Sequence, residues 1–363
     1  MKKERNSIFD NLRGLCMLGV IAIHVGSMAV SAHAASPLLV LVTNILSRYS
    51  VPTFFFISGY GLFYTLPLEE SFSYKSFFKK RMKSIGLPYL GFSLFYLCYN
   101  ALAAHDLSFL YPKNILFCLF FGTAEYHIYF LVILLWFYLL FPLWRRLLRS
   151  MEAIGLKLTV PLLFLLQVWL YHFSMHFWSY PGWVGRHPFL LNLLNYRLNY
   201  LPLFYLFVFL LGGIVARHYA AFHRLITERK GLVTAFFCAS AACNTHIFWR
   251  WTFHWGMPYE ATINFLQQLS LPGLVYTLAA IFFFSMVLCS GHYPCKTALR
   301  QMSERSFVIY LIHPIWIDQL AYLALKFRHG LENVSMPLFY LLVFFISWGL
   351  AEIWHQFRTR QAR

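Results

Sequence analysis

Long apolar runs separated by short polar segments dominate this sequence. A helix needs about 20 apolar residues to cross a hydrocarbon core of ~30 Å, and a window of about nineteen residues places spans at residues 12–32, 44–65, 85–104, 127–144, 159–178, 199–216, 231–250, 271–290, 306–326 and 336–356. Lipid cannot satisfy exposed backbone polar groups, so each span is predicted to be helical. The sequence therefore predicts an all-α polytopic membrane protein with about ten transmembrane helices.

Two remaining stretches do not qualify as crossings. Residues 114–122 are too short and are predicted to be an interfacial or re-entrant piece, and residues 183–199 are predicted to be an outer loop. The composition, 60% hydrophobic and 12% charged with a mean hydropathy of +0.58, excludes an ordinary water-soluble domain.

The formal charge of +17 would suggest nucleic acid in a soluble protein, but the basic residues here form short clusters between apolar runs. With the N-terminus inside, 23 of the 30 Lys and Arg residues fall in cytoplasmic segments, including Lys2, Lys3, Arg5 and Arg363. This positive-inside bias predicts that both termini are cytoplasmic. The expected partner is membrane lipid and not nucleic acid.

The seven cysteines are odd in number, lie mostly in apolar runs and form no Cys-x-x-Cys pair. We therefore expect neither a disulfide framework nor a metal site.

An arginine and a histidine lie eleven positions apart in the first apolar run. At ~100° per residue, Arg13 and His24 share one helix face and are about 16 Å apart along the axis. Arg13 could hold an anionic group at the cytoplasmic mouth, while a neutral imidazole at depth suits a general base. The alternative is that Arg13 is an interfacial anchor and His24 a packed, hydrogen-bonded residue.

A basic cluster leads into the third span: Lys79, Lys80, Arg81 and Lys83. These cations could hold the phosphates of a nucleotide-like cofactor or anionic lipid headgroups. Membrane topology alone would also place such a cluster here.

Three further ionisable residues lie near or within spans. Glu125 and His127 begin the fourth span on its outer side, and His313 lies deep in the ninth. Intramembrane ionisable groups are candidates for function, but His313 could equally hydrogen-bond a backbone carbonyl exposed at Pro314.

Taken together, five stretches in order resemble the acyltransferase-3 family, bacterial ten-helix membrane proteins that move acyl groups, often acetyl, onto extracytoplasmic carbohydrates. They are the start from Asp10 to Arg13 with His24, the run Phe54-Phe55-Phe56-Ile57-Ser58-Gly59, the basic loop ending Pro88-Tyr89, the segment from His127, and Ile309-Tyr310-Leu311-Ile312-His313-Pro314. The resemblance spans nearly the whole chain and implies a single membrane domain over residues 1–363. The chain looks like members that act on exopolysaccharides without an appended SGNH-hydrolase domain.

The resemblance implies that Arg13 and His24 are the family's essential pair. The family's Arg-x-x-Arg motif is imperfect, because Ser84 stands three positions after Arg81, where the motif has its second arginine. Lys80 and Lys83 could supply equivalent charge. From the resemblance we further expect acyl-CoA, most often acetyl-CoA, to be the donor and to bind at Arg13 and the basic cluster, with no permanently bound cofactor. His24 would deprotonate the acceptor hydroxyl or carry the acyl group, and Glu125, His127 and His313 would bind the acceptor, an extracytoplasmic glycan or lipid-linked sugar. The expected location is the bacterial cytoplasmic membrane.

A transporter or flippase for a polysaccharide or lipid-linked sugar is the competing hypothesis. It would also need a polar path through the membrane but no CoA. A structural scaffold agrees poorly with several ionisable residues at depth.

Overall fold

The computed structural model describes residues 6–361, most of which are helical and none of which form a strand. Lys2, Lys3, Arg5 and Arg363, used in the topology prediction, lie outside these residues. The helices are α1 Ser7–Ser31, α2 Pro37–Thr65, α3 Tyr74–Ala104, α4 Pro112–Phe121, α5 Tyr129–Leu139, α6 Phe141–Ile154, α7 Leu156–Phe177, α8 Pro188–Asn195, α9 Pro202–Arg217, α10 Tyr219–Glu228, α11 Lys230–His254, α12 Tyr259–Phe265, α13 Leu271–Cys289, α14 Lys296–Arg328 and α15 Met336–Gln361.

Among residues 6–361, eight helices are long and apolar enough to cross a membrane, and the number rises to ten if two bent pairs each count as one span. The pair α5 and α6 bends by 67°. Each of the ten predicted spans overlaps one of these helices or pairs. The prediction of a polytopic all-α membrane protein is confirmed.

Two local predictions differ from the structure. The predicted outer loop at residues 183–199 contains α8, flanked by the short helices Gly182–Arg186 and Arg197–Tyr200. The basic cluster lies within α3 and not in a loop before it. In both places a hydropathy window excludes amphipathic or charged turns that nonetheless remain helical.

The chain forms two compact units. The first contains the described residues up to Ser58 together with those from His218 onward, and the second is Gly59–Arg217. The first unit is therefore discontinuous in sequence, and α1 belongs to it.

Small residues on α1 allow close packing within the first unit. A Cβ atom at Gly14 would lie 2.3 Å from the carbonyl oxygen of Leu299 on α14. A Cβ at Gly26 would lie 1.9 Å from Thr43 Oγ1, and one at Gly19 would lie 2.0 Å from Ser50 Oγ, both on α2. A larger side chain at Gly14 would press against the backbone of α14, and one at Gly19 or Gly26 would press against side chains of α2. Such close approach is expected where membrane helices pack through small residues.

The register of these contacts gives the helix directions. Gly26 of α1 lies against Thr43 of α2, whereas Gly19 lies against Ser50. Residue numbers therefore fall along α1 as they rise along α2, so the two helices are antiparallel. Gly14 of α1 lies against Leu299 of α14, and His24 lies beside His313. Residue numbers rise together along both helices, so α1 and α14 run in the same direction. First and ninth crossings of an alternating topology must be parallel, and this pair satisfies that requirement.

Arginines hold together the segment after α2 within the second unit. Arg145 donates to the carbonyls of Leu66, Leu68 and Glu70 at 2.5, 3.3 and 2.8 Å. Arg217 pairs with Glu69 at 2.8 Å, and this hydrogen-bonded partner lowers the pKa of the Glu69 carboxyl to about 2. Glu69 therefore stays ionised throughout the physiological pH range.

The predicted topology can be tested with reporter fusions. Fusions placed near Ser36 and near Arg186 should give high alkaline phosphatase activity and no cytoplasmic green fluorescence. A fusion near Arg229 should give the reverse, because it lies in a predicted cytoplasmic segment. A cytoplasmic signal at Ser36 or Arg186 would contradict the orientation.

Candidate functional site

Arg13 and His24 lie on one unbroken helix, α1, as predicted. The Asn6 side chain caps it by accepting from the Ile8 backbone amide at 3.0 Å. Arg13 and His24 are both partly buried. Three turns of regular helix place them on one face, about 16 Å apart along the axis.

A second imidazole lies beside His24. The ring centroids of His24 and His313 are 5.2 Å apart, with 36° between the ring planes. His313 is fully buried on α14. The structure thus brings together two of the predicted site residues, 289 positions apart in sequence.

The proline after His313 explains how that ring is held. Pro314 has no backbone N–H, so the Tyr310 carbonyl four residues earlier lacks its ordinary helical partner. The Nδ1 atom of His313 lies 2.8 Å from this carbonyl oxygen and 3.1 Å from that of Ile309. A carbonyl oxygen only accepts, so Nδ1 carries the hydrogen of the neutral ring and Nε2 is its basic nitrogen. The predicted hydrogen bond to a carbonyl exposed by Pro314 is confirmed.

The basic cluster belongs to the second unit and divides into two kinds of side chain. Lys79, Lys80 and Lys83 are exposed, whereas Arg81 is partly buried. The Arg81 guanidinium carbon lies 5.4 Å from the ring centroid of Phe77 and 5.2 Å from that of Tyr138. Arg81 therefore packs against aromatic rings, and the three lysines present the exposed charge of this cluster.

Glu125 and His127 lie in the turn before α5 of the second unit. His127 is 1% exposed, and its ring meets Tyr96 edge-on at 5.4 Å and Tyr126 at 5.8 Å. Glu125 is partly buried and accepts from the Tyr126 backbone amide at 3.1 Å. Glu125 is thus the more accessible of these two predicted acceptor residues.

The model of the Acyl_transf_3 family, described as an acyltransferase domain, matches residues 6–352. The chain belongs to the acyltransferase-3 family. It is a membrane acyltransferase, and the family model covers both units. Neither the curated proteins nor the solved structures gave a match to this acyltransferase.

The sequence analysis missed a polar group of the acyltransferase near His24. Ser27 donates to the Asn44 side chain at 2.9 Å, and Asn44 donates to Thr43 at 3.1 Å. Arg48 lies one turn further along α2 and donates to the Asn44 carbonyl at 2.7 Å. The available signal was an arginine and an asparagine four residues apart inside an apolar run, since polar residues at such depth commonly have a function.

Proposed function

We propose that this acyltransferase moves an acetyl group from cytoplasmic acetyl-CoA to a hydroxyl of an extracytoplasmic carbohydrate, and that it does so in a bacterial cytoplasmic membrane. The observation that carries the proposal is the pair of imidazoles on α1 and α14 within the first unit. Acyl transfer to a hydroxyl needs a base at neutral pH, and histidine is the side chain whose ordinary pKa of about 6.5 suits that task.

In the proposed reaction His24 accepts the proton of the acceptor hydroxyl. The hydroxyl oxygen bonds to the acyl carbon, and the carbonyl electron pair moves onto the carbonyl oxygen. Collapse of this intermediate breaks the carbon–sulfur bond, and the departing thiolate takes the proton from the His24 imidazolium. While His24 is protonated, the Nε2 atom of His313 can accept a hydrogen bond from it, because the Nδ1 hydrogen of His313 is directed to the backbone.

Cations serve the donor in this proposal. Acyl-CoA carries several phosphate charges, and exposed lysines bind phosphate as mobile point charges. We assign the donor phosphates to Lys79, Lys80 and Lys83, with Arg13 as the cation on the helix that carries His24. Glu125, His127 and His313 remain the residues proposed to bind the acceptor carbohydrate.

The overall reaction can be tested with purified protein in lipid nanodiscs. The probes are [14C]acetyl-CoA and surface glycan extracted from cells that lack the protein. We expect label to appear in the glycan only when protein, donor and acceptor are all present, and not with a His24→Asn variant. Glycan transport in proteoliposomes without acetylation would instead support an exporter and overturn the proposal.

Removing the three exposed lysines should weaken donor binding without slowing chemistry. Each exposed charge contact contributes up to about 1 kcal/mol, so the combined Lys79→Ala, Lys80→Ala and Lys83→Ala variant should raise KM for acetyl-CoA about tenfold. The kcat should stay within about twofold. Steady-state kinetics over a range of salt concentrations would measure both values.

The matched control replaces Lys157 and Lys230, two exposed lysines outside the cluster, with alanine. The control should leave KM unchanged. The cluster variant should also discriminate less between acetyl-CoA and its form lacking the 3′-phosphate. An unchanged KM for acetyl-CoA in the cluster variant would show that these lysines do not bind the donor and only help to orient the protein in the membrane.

A further inference from the structure

Arg48 is a charged residue inside α2 with fixed geometry. Its Nε donates to the Asn44 carbonyl at 2.7 Å, and its Nη1 donates to the Gln268 side chain at 3.1 Å. Gln268 lies just before α13, so two different segments of the first unit hold the guanidinium. A charge tied down in this way is preorganised, unlike a flexible side chain that reaches for the membrane interface.

The packing register places this guanidinium at the level of His24. Residues 43 and 44 of α2 contact α1 at Gly26 and Ser27, and Ser50 contacts it at Gly19. Side chains on a helix lean toward its N-terminus, and the bond to the Asn44 carbonyl shows that Arg48 does so. The guanidinium therefore lies between the levels of Gly19 and Ser27 on α1, where His24 is found.

The electrostatics agree with this placement. Arg48 on α2 and His313 on α14 both lie close enough to His24 to act on it by charge. The tyrosines on the other helices packed against α1 are directed elsewhere, since Tyr340 of α15 donates to the Leu18 carbonyl and Tyr276 of α13 to the Leu46 carbonyl. Arg48 is thus a permanent cation near the imidazole pair.

We propose that the Arg48 guanidinium binds the oxyanion formed when the acceptor hydroxyl adds to the acyl carbonyl beside His24. The inference rests on the proposed function and supplies the group that stabilises its intermediate. When the new carbon–oxygen bond forms, the carbonyl π electrons move to the carbonyl oxygen, and Arg48 compensates this negative charge. The charge disappears again when the carbon–sulfur bond breaks and the thiolate leaves.

The same cation has a second effect on the reaction. A fixed positive charge opposes protonation of a nearby imidazole, so Arg48 keeps His24 in the neutral form that accepts a proton. Both effects require the charge. The carbonyl and amide contacts of Arg48 determine where that charge lies, which makes Gln268 a positioning residue.

Substitution of Arg48 separates a catalytic role from an anchoring role. In nanodiscs supplied with acetyl-CoA and the extracted glycan, Arg48→Gln should lower kcat about 10²- to 10³-fold, the loss seen on removing an oxyanion donor. The KM for acetyl-CoA should change by less than about threefold, because the interaction is made in the transition state. Arg48→Lys keeps the charge but loses the fork and should lose about tenfold. Arg250→Gln, at an exposed arginine of the same unit, is the control and should retain full activity.

The pH profile provides a readout that a structural role would not move. In Arg48→Gln the acidic limb of kcat should shift to higher pH, whereas in Arg48→Lys and Gln268→Ala it should stay in place. If Arg48→Gln does not reach the membrane, the comparison of Arg48→Lys with Gln268→Ala decides, since wild-type kcat in both would overturn the inference. Activity in His24→Asn would overturn the proposed function as a whole. An inactive His24→Asn together with wild-type kcat in Arg48→Gln would overturn only the role of Arg48.

Discussion

Replacing His24 with alanine should lower acyl transfer by about 10³-fold or more, while the protein still accumulates in the membrane. A positioned general base contributes about 10²- to 10⁴-fold, and the substitution also removes the partner of the buried His313 ring. Folding should tolerate the change, because His24 is only partly buried and α1 is held by close contacts at Gly14, Gly19 and Gly26. The measurement is kcat at saturating acetyl-CoA and acceptor, normalised to purified protein.

The matched control is His246→Ala. His246 is an exposed histidine on α11 of the same unit, so its loss removes an imidazole without touching the pair. It should leave kcat unchanged. A well-expressed His24→Ala variant with normal kcat would contradict the mechanism, and a variant that fails to accumulate would be replaced by His24→Asn, which keeps a polar side chain of smaller volume.

The helices were predictable because each long apolar run must satisfy its own backbone in lipid. The stripe of Arg13 and His24 followed from helical periodicity alone, since both residues lie on one uninterrupted helix. The bends within two spans were not predictable from hydropathy. The window reports the apolar length of residues 129–154 but not the 67° bend between α5 and α6.

The pairing of His24 with His313 could not be derived from the sequence. A membrane helix is apolar on all its faces, so the sequence lacks the amphipathic pattern that would identify which face packs against another helix. The proline after His313 predicted only the local hydrogen bond to Tyr310. The positive-inside pattern explains Arg48 as one of the seven Lys and Arg residues on the outer side. Its bond to Gln268 depends on a contact between segments that are distant in sequence.

The two roles of His313 predict different outcomes for two substitutions. His313→Ala removes both the donor to the Tyr310 carbonyl and the Nε2 atom, so it should lower both stability and activity. In His313→Asn the side-chain amide can replace Nδ1 as donor to that carbonyl. This variant should accumulate normally yet lose about 10²-fold in kcat, within the range of an acid–base group. Thermal unfolding in detergent and kcat on the same preparations would measure the two effects.

The asparagine variant decides between the alternatives that the sequence left open. A residue that only caps a carbonyl next to Pro314 is fully replaced by another donor at the same atom, because the buried carbonyl then keeps its hydrogen bond. A residue that also accepts a hydrogen bond from the His24 imidazolium is not replaced, since the asparagine amide cannot occupy the position of Nε2. Wild-type kcat in a stable His313→Asn variant would therefore reduce His313 to a structural cap, and it would leave His24 as the sole imidazole in the proposed reaction.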